Sequence, residues 1–241
     1  MQRIAIIPAR SGSQRIARKN VKNFLGKPIL AYPIEAALAS KMFDTVMVST
    51  DDTEIAELAI QLGASVPFMR SSKNADHFAT TADVLLEVLI NYHGRGEQYD
   101  YTCCLYPTAP FTSVQHLQNA FEHLQEGQYD CVFPVLEFDY PIQRALKMEE
   151  GKVSMFQPEH LNTRSQDLTP AFHDSGQFYW LNTSTFLHKK QIWTDHTGAI
   201  ELSPMDAHDI DTEKDWQIAE FKYALNAQQK HPQRNIYSSN P

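Results

Sequence analysis

Short apolar runs alternate with longer amphipathic stretches over the first 136 residues of the chain. That alternation predicts parallel strands joined by crossover helices. Arg3–Pro8, Thr45–Ser49, Tyr99–Leu105 and Cys131–Val135 read as strands, with Ser65–Met69 as a further short one. Pro28 suits the first turn of a helix that ends near Ser40, and Pro33 must lie early in that helix or bend it. Thr53–Leu62 stops at Gly63, a helix capped by Thr80 or Thr81 runs to about Tyr92, and Val114–Gln125 is amphipathic. From about residue 137 to 172 the alternation breaks into short strand-like pieces around a turn at Glu149-Glu150-Gly151. Gln177–Leu181 restores strand character, and Thr212–Leu225 closes as a helix with Asp211 or Thr212 as its N-cap. The expected division is an α/β domain from 1–136 and 173–225, an inserted arm at 137–172, and a polar tail at 226–241. No internal repeat is evident.

Composition narrows the class. With 241 residues, 42% of them apolar and 11% aromatic, the chain can fill the core of one α/β domain. A net charge of −8 argues against general nucleic-acid binding, which needs a basic face. No stretch reaches the apolar length of a membrane span. Met1-Gln2-Arg3 leads straight into a strand, so no signal peptide is expected. Cys103, Cys104 and Cys131 fall in apparent buried strands and read as core thiols of a reducing cytoplasm.

Against this acidic background, the segment after the first strand is strongly cationic. Arg10, Arg15, Arg18 and Lys19 fall within ten residues, around Ser11-Gly12-Ser13. Such charges repel one another unless solvated or facing an anion. Gly12 lets a ligand approach the backbone, and successive turn N–H groups form an anion-binding nest. A polyphosphate suits this loop better than a merely solvated basic turn. The Walker string is absent, and Gly12 is the only glycine between Ile4 and Leu25, so the dinucleotide pattern fails too.

Asp209-Ile210-Asp211 supplies a second constellation. On an extended stretch the two carboxylates share a face and Ile210 points to the core. Beside a phosphate loop they would repel the ligand unless a hard cation stood between, and Mg²⁺ binds through one or two carboxylates, waters and substrate phosphates. Taken alone, Asp211 would simply cap the last helix and Asp209 would be a solvated loop residue. A third group, Arg144, Arg164 and His173 interleaved with Tyr140, Gln143, Asn162, Gln166, Gln177 and Tyr179, suits an acidic sugar, or equally a polar arm or a dimer contact. No G-x-S-x-G elbow supports a serine hydrolase.

Together these segments resemble a known family. Ile7-Pro8-Ala9-Arg10-x-Gly12-Ser13-x5-Lys19-Asn20, Val48-Ser49-Thr50-Asp51-Asp52, Tyr106-Pro107-Thr108-Ala109-Pro110 and Asp209-Ile210-Asp211-Thr212 are similar, in order, to the CMP-sialic acid synthetase family. Three later stretches, Phe138–Leu146, Asn162–Leu168 and His173–Trp180, resemble its pseudaminic acid branch. Sialic acid synthetases usually carry Gln where Tyr106 stands. Gln14 replaces a common lysine, with Arg15 available to supply that charge.

The resemblance implies a Rossmann-like, three-layer α/β nucleotidyltransferase fold with a mainly parallel sheet and a small dimerisation arm. It implies transfer of CMP from CTP to the anomeric hydroxyl of a nonulosonic acid, with Mg²⁺ as cofactor and a homodimer whose arm reaches the partner's site. Arg10, Lys19 and Asp211 would be catalytic. Ala9, Arg10, Ser11, Gly12, Ser13, Lys19, Asn20, Arg70, Thr80, Pro107 and Thr108 would hold the nucleotide. Tyr106, Gln143, Arg144, Arg164, His173, Gln177 and Tyr179 would hold the sugar, and Asp209 and Asp211 the metal. The same reaction on N-acetylneuraminic, legionaminic or Kdo-like acids, a glycosyltransferase using a finished nucleotide sugar, and an inactive CTP-binding module are the alternatives.

Overall fold

The computed structural model describes residues 1–12, 15–76 and 78–230. The first half contains β1 (Arg3–Pro8), the short hairpin β2 (Asn23–Phe24) and β3 (Lys27–Pro28), α1 (Ala31–Ser40), β4 (Thr45–Ser49), α2 (Thr53–Gln61), α3 (Ser72–Ala75), α4 (Thr81–Gly94) and β5 (Tyr101–Leu105). It continues with α5 (Val114–Glu126), β6 (Cys131–Glu137), β7 (Leu146–Glu149), β8 (Lys152–Met155), β9 (Phe172–Asp174), β10 (Phe178–Asn182), α6 (Thr183–Lys189), β11 (Thr197–Glu201) and α7 (Glu213–Lys230).

The central sheet has the order β11-β6-β10-β5-β1-β4, with β9 also paired to β6. β4, β1 and β5 run parallel to one another, as do β6 and β11. β10 is antiparallel and wedged between β5 and β6. Because side chains alternate across a strand, β1 feeds two cores. Ala5 and Ile7 join Ile34 of α1, Ala59 of α2 and Phe121 of α5, whereas Ile4 and Ile6 join Leu85 of α4 and Phe186 of α6. The result is a three-layer α/β arrangement. The three cysteines are free and buried within it. No helix among the described residues is long and apolar enough to cross a membrane.

Several local expectations are corrected. Pro28 belongs to β3, not to a helix, because the chain first makes the β2–β3 hairpin; Pro33 then occupies the first turn of α1, where its missing N–H costs nothing. Ser65–Met69 makes only a single parallel bridge, Ser65 with Met47, since Pro67 cannot donate to a ladder. The expectations missed α6 and β11, and α7 runs on past Leu225 to Lys230.

Residues 138–171 project from the end of β6. β7 and β8 form a hairpin whose two-residue turn, Glu150-Gly151, has positive φ at both positions (51° and 76°). That is the geometry a tight hairpin needs to match strand twist. Tyr140, Leu146, Met148, Val153, Phe156 and Leu161 are all exposed along this segment.

Candidate active site

In an open sheet, ligands bind beyond the carboxyl ends of the parallel strands. A cavity of about 380 Å³ lies there, lined by Pro8, Arg10, Arg15, Ile16, Lys19, Asn20, Tyr106, Pro107, Thr108, Asp209 and Asp211. A larger one of about 870 Å³ opens at the opposite end, between Met1, His93, Tyr101, Asn182 and Leu187. The smaller cavity is the candidate site, because three cations and two carboxylates converge on it.

A third buried cluster builds this convergence. Ile16 from the loop, Ile210 from between the aspartates, and Phe24, Tyr32, Phe111 and Trp216 pack together. Ile210 is fully buried, as its place between two outward-facing carboxylates requires. Arg15 reaches Asp211 at 2.8 Å, and the Lys19 ammonium lies 3.9 Å from Asp211 while donating to the Ile210 carbonyl. Thr212, not Asp211, caps α7: its hydroxyl accepts from the Asp215 N–H (3.3 Å) and its N–H donates to the Asp215 carboxylate (2.8 Å). The Asp211 carboxyl is thereby left to the cleft.

The charges in the cleft are strained in opposite senses. Crowding by protein, then the neighbouring Asp211, raises the Asp209 pKa, against the opposing pull of Lys19. Burial lowers the Lys19 pKa, while Asp211 and Asp209 pull it back. Two carboxylates and a cation thus share a partly desolvated space, a setting in which an added cation or anion changes every partner.

The loop is stitched to the strand ends beside it. Ala9 N–H donates to the Ser49 carbonyl (2.9 Å), and the buried Asn20 amide donates to the Arg10 carbonyl (2.8 Å). Ser11 gives both its N–H (3.0 Å) and its hydroxyl (2.7 Å) to Asp51. Burial alone would raise the Asp51 pKa, but these bonds carry it below the ordinary carboxylate value. Arg10, which lines the cavity, donates to the Asp76 carbonyl (3.0 Å). Arg70 is buried and grips Ser49 through Nε (3.0 Å) and Nη2. Thr80 caps α4 in a reciprocal pair with Asp83. Gly12 is described but does not line the cavity, and Ser13 lies outside the described residues.

The residues assigned to the sugar divide into three groups. Tyr106 lines the cavity, and its ring meets that of Tyr179 edge-on at 5.6 Å. Tyr179 donates its hydroxyl to Asp174, and the buried Gln177 amide donates to the Asp206 carbonyl (2.7 Å) and accepts from Thr112 (3.4 Å), so both form a layer behind the cleft. Gln143, Arg144, Arg164 and His173 stay on or near the arm, outside the cavity lining: Gln143 donates to the Thr169 carbonyl (2.8 Å), Arg144 lies over the Tyr140 ring, Arg164 pairs with Asp167 (2.7 Å), and His173 packs on Phe138.

Two residues beside the site escaped the sequence reading. Gly176 has φ +67°, and a Cβ there would sit 3.5 Å from the Asp209 carboxyl carbon. Asp174 accepts from the Gly176 N–H at 2.8 Å. A glycine two residues before a strand is a visible signal for such a turn, but its neighbour in space is not.

Comparison with known proteins decides the family. The family model described as cytidylyltransferase matches residues 4–240. The chain belongs to the cytidylyltransferase family. Among its relatives, this cytidylyltransferase is 41% identical to a pseudaminic acid cytidylyltransferase of Campylobacter jejuni, over 94% of the chain and 98% of that protein. It is 29% identical to a CMP-N,N'-diacetyllegionaminic acid synthase of Legionella pneumophila, over 94% and 98%. Its fold matches a CMP:2-keto-3-deoxy-manno-octonic acid synthetase solved with CTP, with a TM-score of 0.67 and 16% identity, covering 95% of this chain and all of that one.

Proposed function

We propose that this cytidylyltransferase joins CMP from CTP to the anomeric hydroxyl of pseudaminic acid and releases pyrophosphate. The observation that carries the reading is the 41% identity to the Campylobacter jejuni enzyme over nearly the full length of both chains. The cleft of Arg10, Arg15, Lys19, Asp209 and Asp211 is consistent with that chemistry.

Attack on the α-phosphorus builds negative charge on the phosphoryl oxygens and on the leaving pyrophosphate, so catalysis rests on positioning and on fixed cations. Arg10 and Lys19 would meet the triphosphate, with Gly12 and Ser13 offering backbone N–H groups and Asn20 holding the loop at Arg10. Pro107 and Thr108 would form the wall beside the nucleotide. Arg70, Thr80 and Ala9 act from behind, by fixing the strand ends and the start of α4. Tyr106 would face the sugar from the cleft. Arg144 and Arg164 would reach the sugar carboxylate from an arm that meets a second copy, in a cytoplasmic homodimer.

Asp209 and Asp211 fit Mg²⁺. Their hard oxygen donors lie close enough that Asp211 raises the Asp209 pKa, a repulsion a divalent cation relieves. Such an ion supplies charge neutralisation at the α-phosphate and acidifies a bound hydroxyl. The protein's own part is to hold the two carboxylates apart on the Ile210 anchor and to keep Arg15 and Lys19 beside them.

Incubation of the enzyme with CTP, Mg²⁺ and, separately, pseudaminic, legionaminic, N-acetylneuraminic and Kdo-type acids tests the reading by pyrophosphate release. Pseudaminic acid should give the highest kcat/KM. Equal or better turnover of another acid overturns the sugar assignment, and CTP binding without pyrophosphate from any acid overturns the activity.

A further inference from the structure

The turn between β9 and β10 supports a role for a carboxylate that has no place in the chemistry above. Asp174 closes β9 and is partly buried. One of its oxygens accepts from the Gly176 N–H (2.8 Å), and the other accepts from the Tyr179 hydroxyl. Tyr179 lies one contact from the cleft, through Tyr106. Gly176 is in the left-handed region (φ +67°), and only an added Cβ would come to ordinary contact distance, 3.5 Å, of the Asp209 carboxyl. Tyr179, almost fully buried, meets the Tyr106 ring edge-on, and the Tyr106 hydroxyl in turn lies 3.3 Å from the Thr81 hydroxyl at the start of α4.

We propose that Asp174 is a positioning residue for the transfer site, bracing Tyr106 through Tyr179. The inference rests on the proposed sugar transfer and deepens it. One carboxylate ties the Tyr179 hydroxyl, and with it the aromatic wall that would face the acceptor, to the turn at Gly176. A carboxylate suits the task because it accepts two bonds at once from two different elements. The turn beneath is rigid: Ser175 is buried and its N–H donates to the Pro134 carbonyl (3.1 Å), while the Gln177 side chain donates to the Asp206 carbonyl. Among the described residues of the nucleotide loop none bonds Asp174, and the loop is held by Asp51 and Asn20 instead. Removing Asp174 should therefore disturb the acceptor side and leave CTP capture alone.

The test compares Asp174→Ala and Asp174→Asn with wild type, using CTP, pseudaminic acid and Mg²⁺. The expected result for Asp174→Ala is a fall in kcat/KM for the sugar of about tenfold or more, with the KM for CTP within about twofold of wild type. Asp174→Asn keeps an acceptor for Gly176 and offers its amide to the Tyr179 oxygen, so it should recover to within about threefold. A folded Asp174→Ala enzyme with wild-type sugar kinetics, or with a loss shared equally by CTP, overturns the inference. A merely structural role would lower Tm without splitting the two KM values. Should Asp174→Ala fail to fold, Tyr179→Phe removes the same bond from its other end. Tyr179→Phe should raise the sugar KM and leave the KM for CTP unchanged. An unchanged sugar KM in that variant overturns it. If wild type itself releases no pyrophosphate with any acid, the proposed activity fails, and not this brace.

Discussion

Ile16 and Ile210 share one buried cluster, although one follows the first strand and the other precedes the last helix. Each carries charge on its flank: Arg15 beside Ile16, Asp209 and Asp211 around Ile210. The apolar contact therefore sets the distance between the cationic loop and the acidic pair. Ile210→Ala should cost about 2–5 kcal/mol of stability through the cavity it leaves. Beyond that, turnover by the folded fraction should drop more than CTP affinity. Urea unfolding beside single-turnover kinetics separates the two effects.

The charged groups themselves should be less forgiving. Arg10→Ala is expected to reduce kcat by a factor on the order of 10²–10³, comparable to the loss of one preorganised transition-state donor. Asp211→Ala should abolish pyrophosphate release while retaining CTP binding better than catalysis. A loss below about threefold for Arg10→Ala, or normal turnover by Asp211→Ala with Mg²⁺ present, removes the residue from its role.

Asp209 gives a prediction of opposite sign for stability. Its pKa is raised in the folded protein, so folding favours its protonated form. That stabilisation is complete below the unfolded value of 3.8 and is lost as pH rises through the folded one. At neutral pH the ionised carboxylate therefore destabilises the fold. Without divalent metal, Asp209→Asn should raise Tm at pH 7, and the gap from wild type should shrink as the solution is acidified. Turnover should be lost throughout.

Ser11 has both its donors committed to Asp51, so it serves as an anchor for the loop. Asp51→Ala leaves those donors without their acceptor. It should cost about 2 kcal/mol, given that hydrogen bonds to a charged group are worth roughly 1.5–3 kcal/mol. In a chain of this size that is a Tm fall of roughly 4–8 °C. The KM for CTP should rise as the loop loosens, and Asp51→Asn should recover most of it.

The apolar side chains displayed on the arm give a test of assembly. Under the proposed homodimer, Met148→Glu, on the exposed strand β7, should shift the protein from dimer to monomer in sedimentation and lower activity at dilute enzyme concentration. A wild-type chain that sediments as a monomer at micromolar concentration removes the arm's assigned role.

Much of this architecture was legible in the residues. β1, β4, β5 and β6 announced themselves as apolar runs because both faces of each are covered by helices. The loop and the acidic pair were legible because charge patterns survive without knowledge of contacts. What could not be read was pairing in space. Thr212 takes the cap that Asp211 could equally have filled, and only the reciprocal bond to Asp215 decides between them. Gln177 and Tyr179 look like ligands in a string of polar residues, yet their polar ends turn inward. α6 and β11 were missed because Thr183–Lys189 is short and Thr197–Glu201 is half polar, so neither carries a clear period.

The seat of β10 between β5 and β6 has a consequence for how the molecule is made. Strands that precede the arm cannot close on each other, since the slot between them belongs to a strand that follows it. A nascent chain stopped before Phe178 would therefore leave the facing ladder edges of β5 and β6 open. The order of synthesis thus obliges the ribosome to deliver the whole arm before the centre of the sheet can seal.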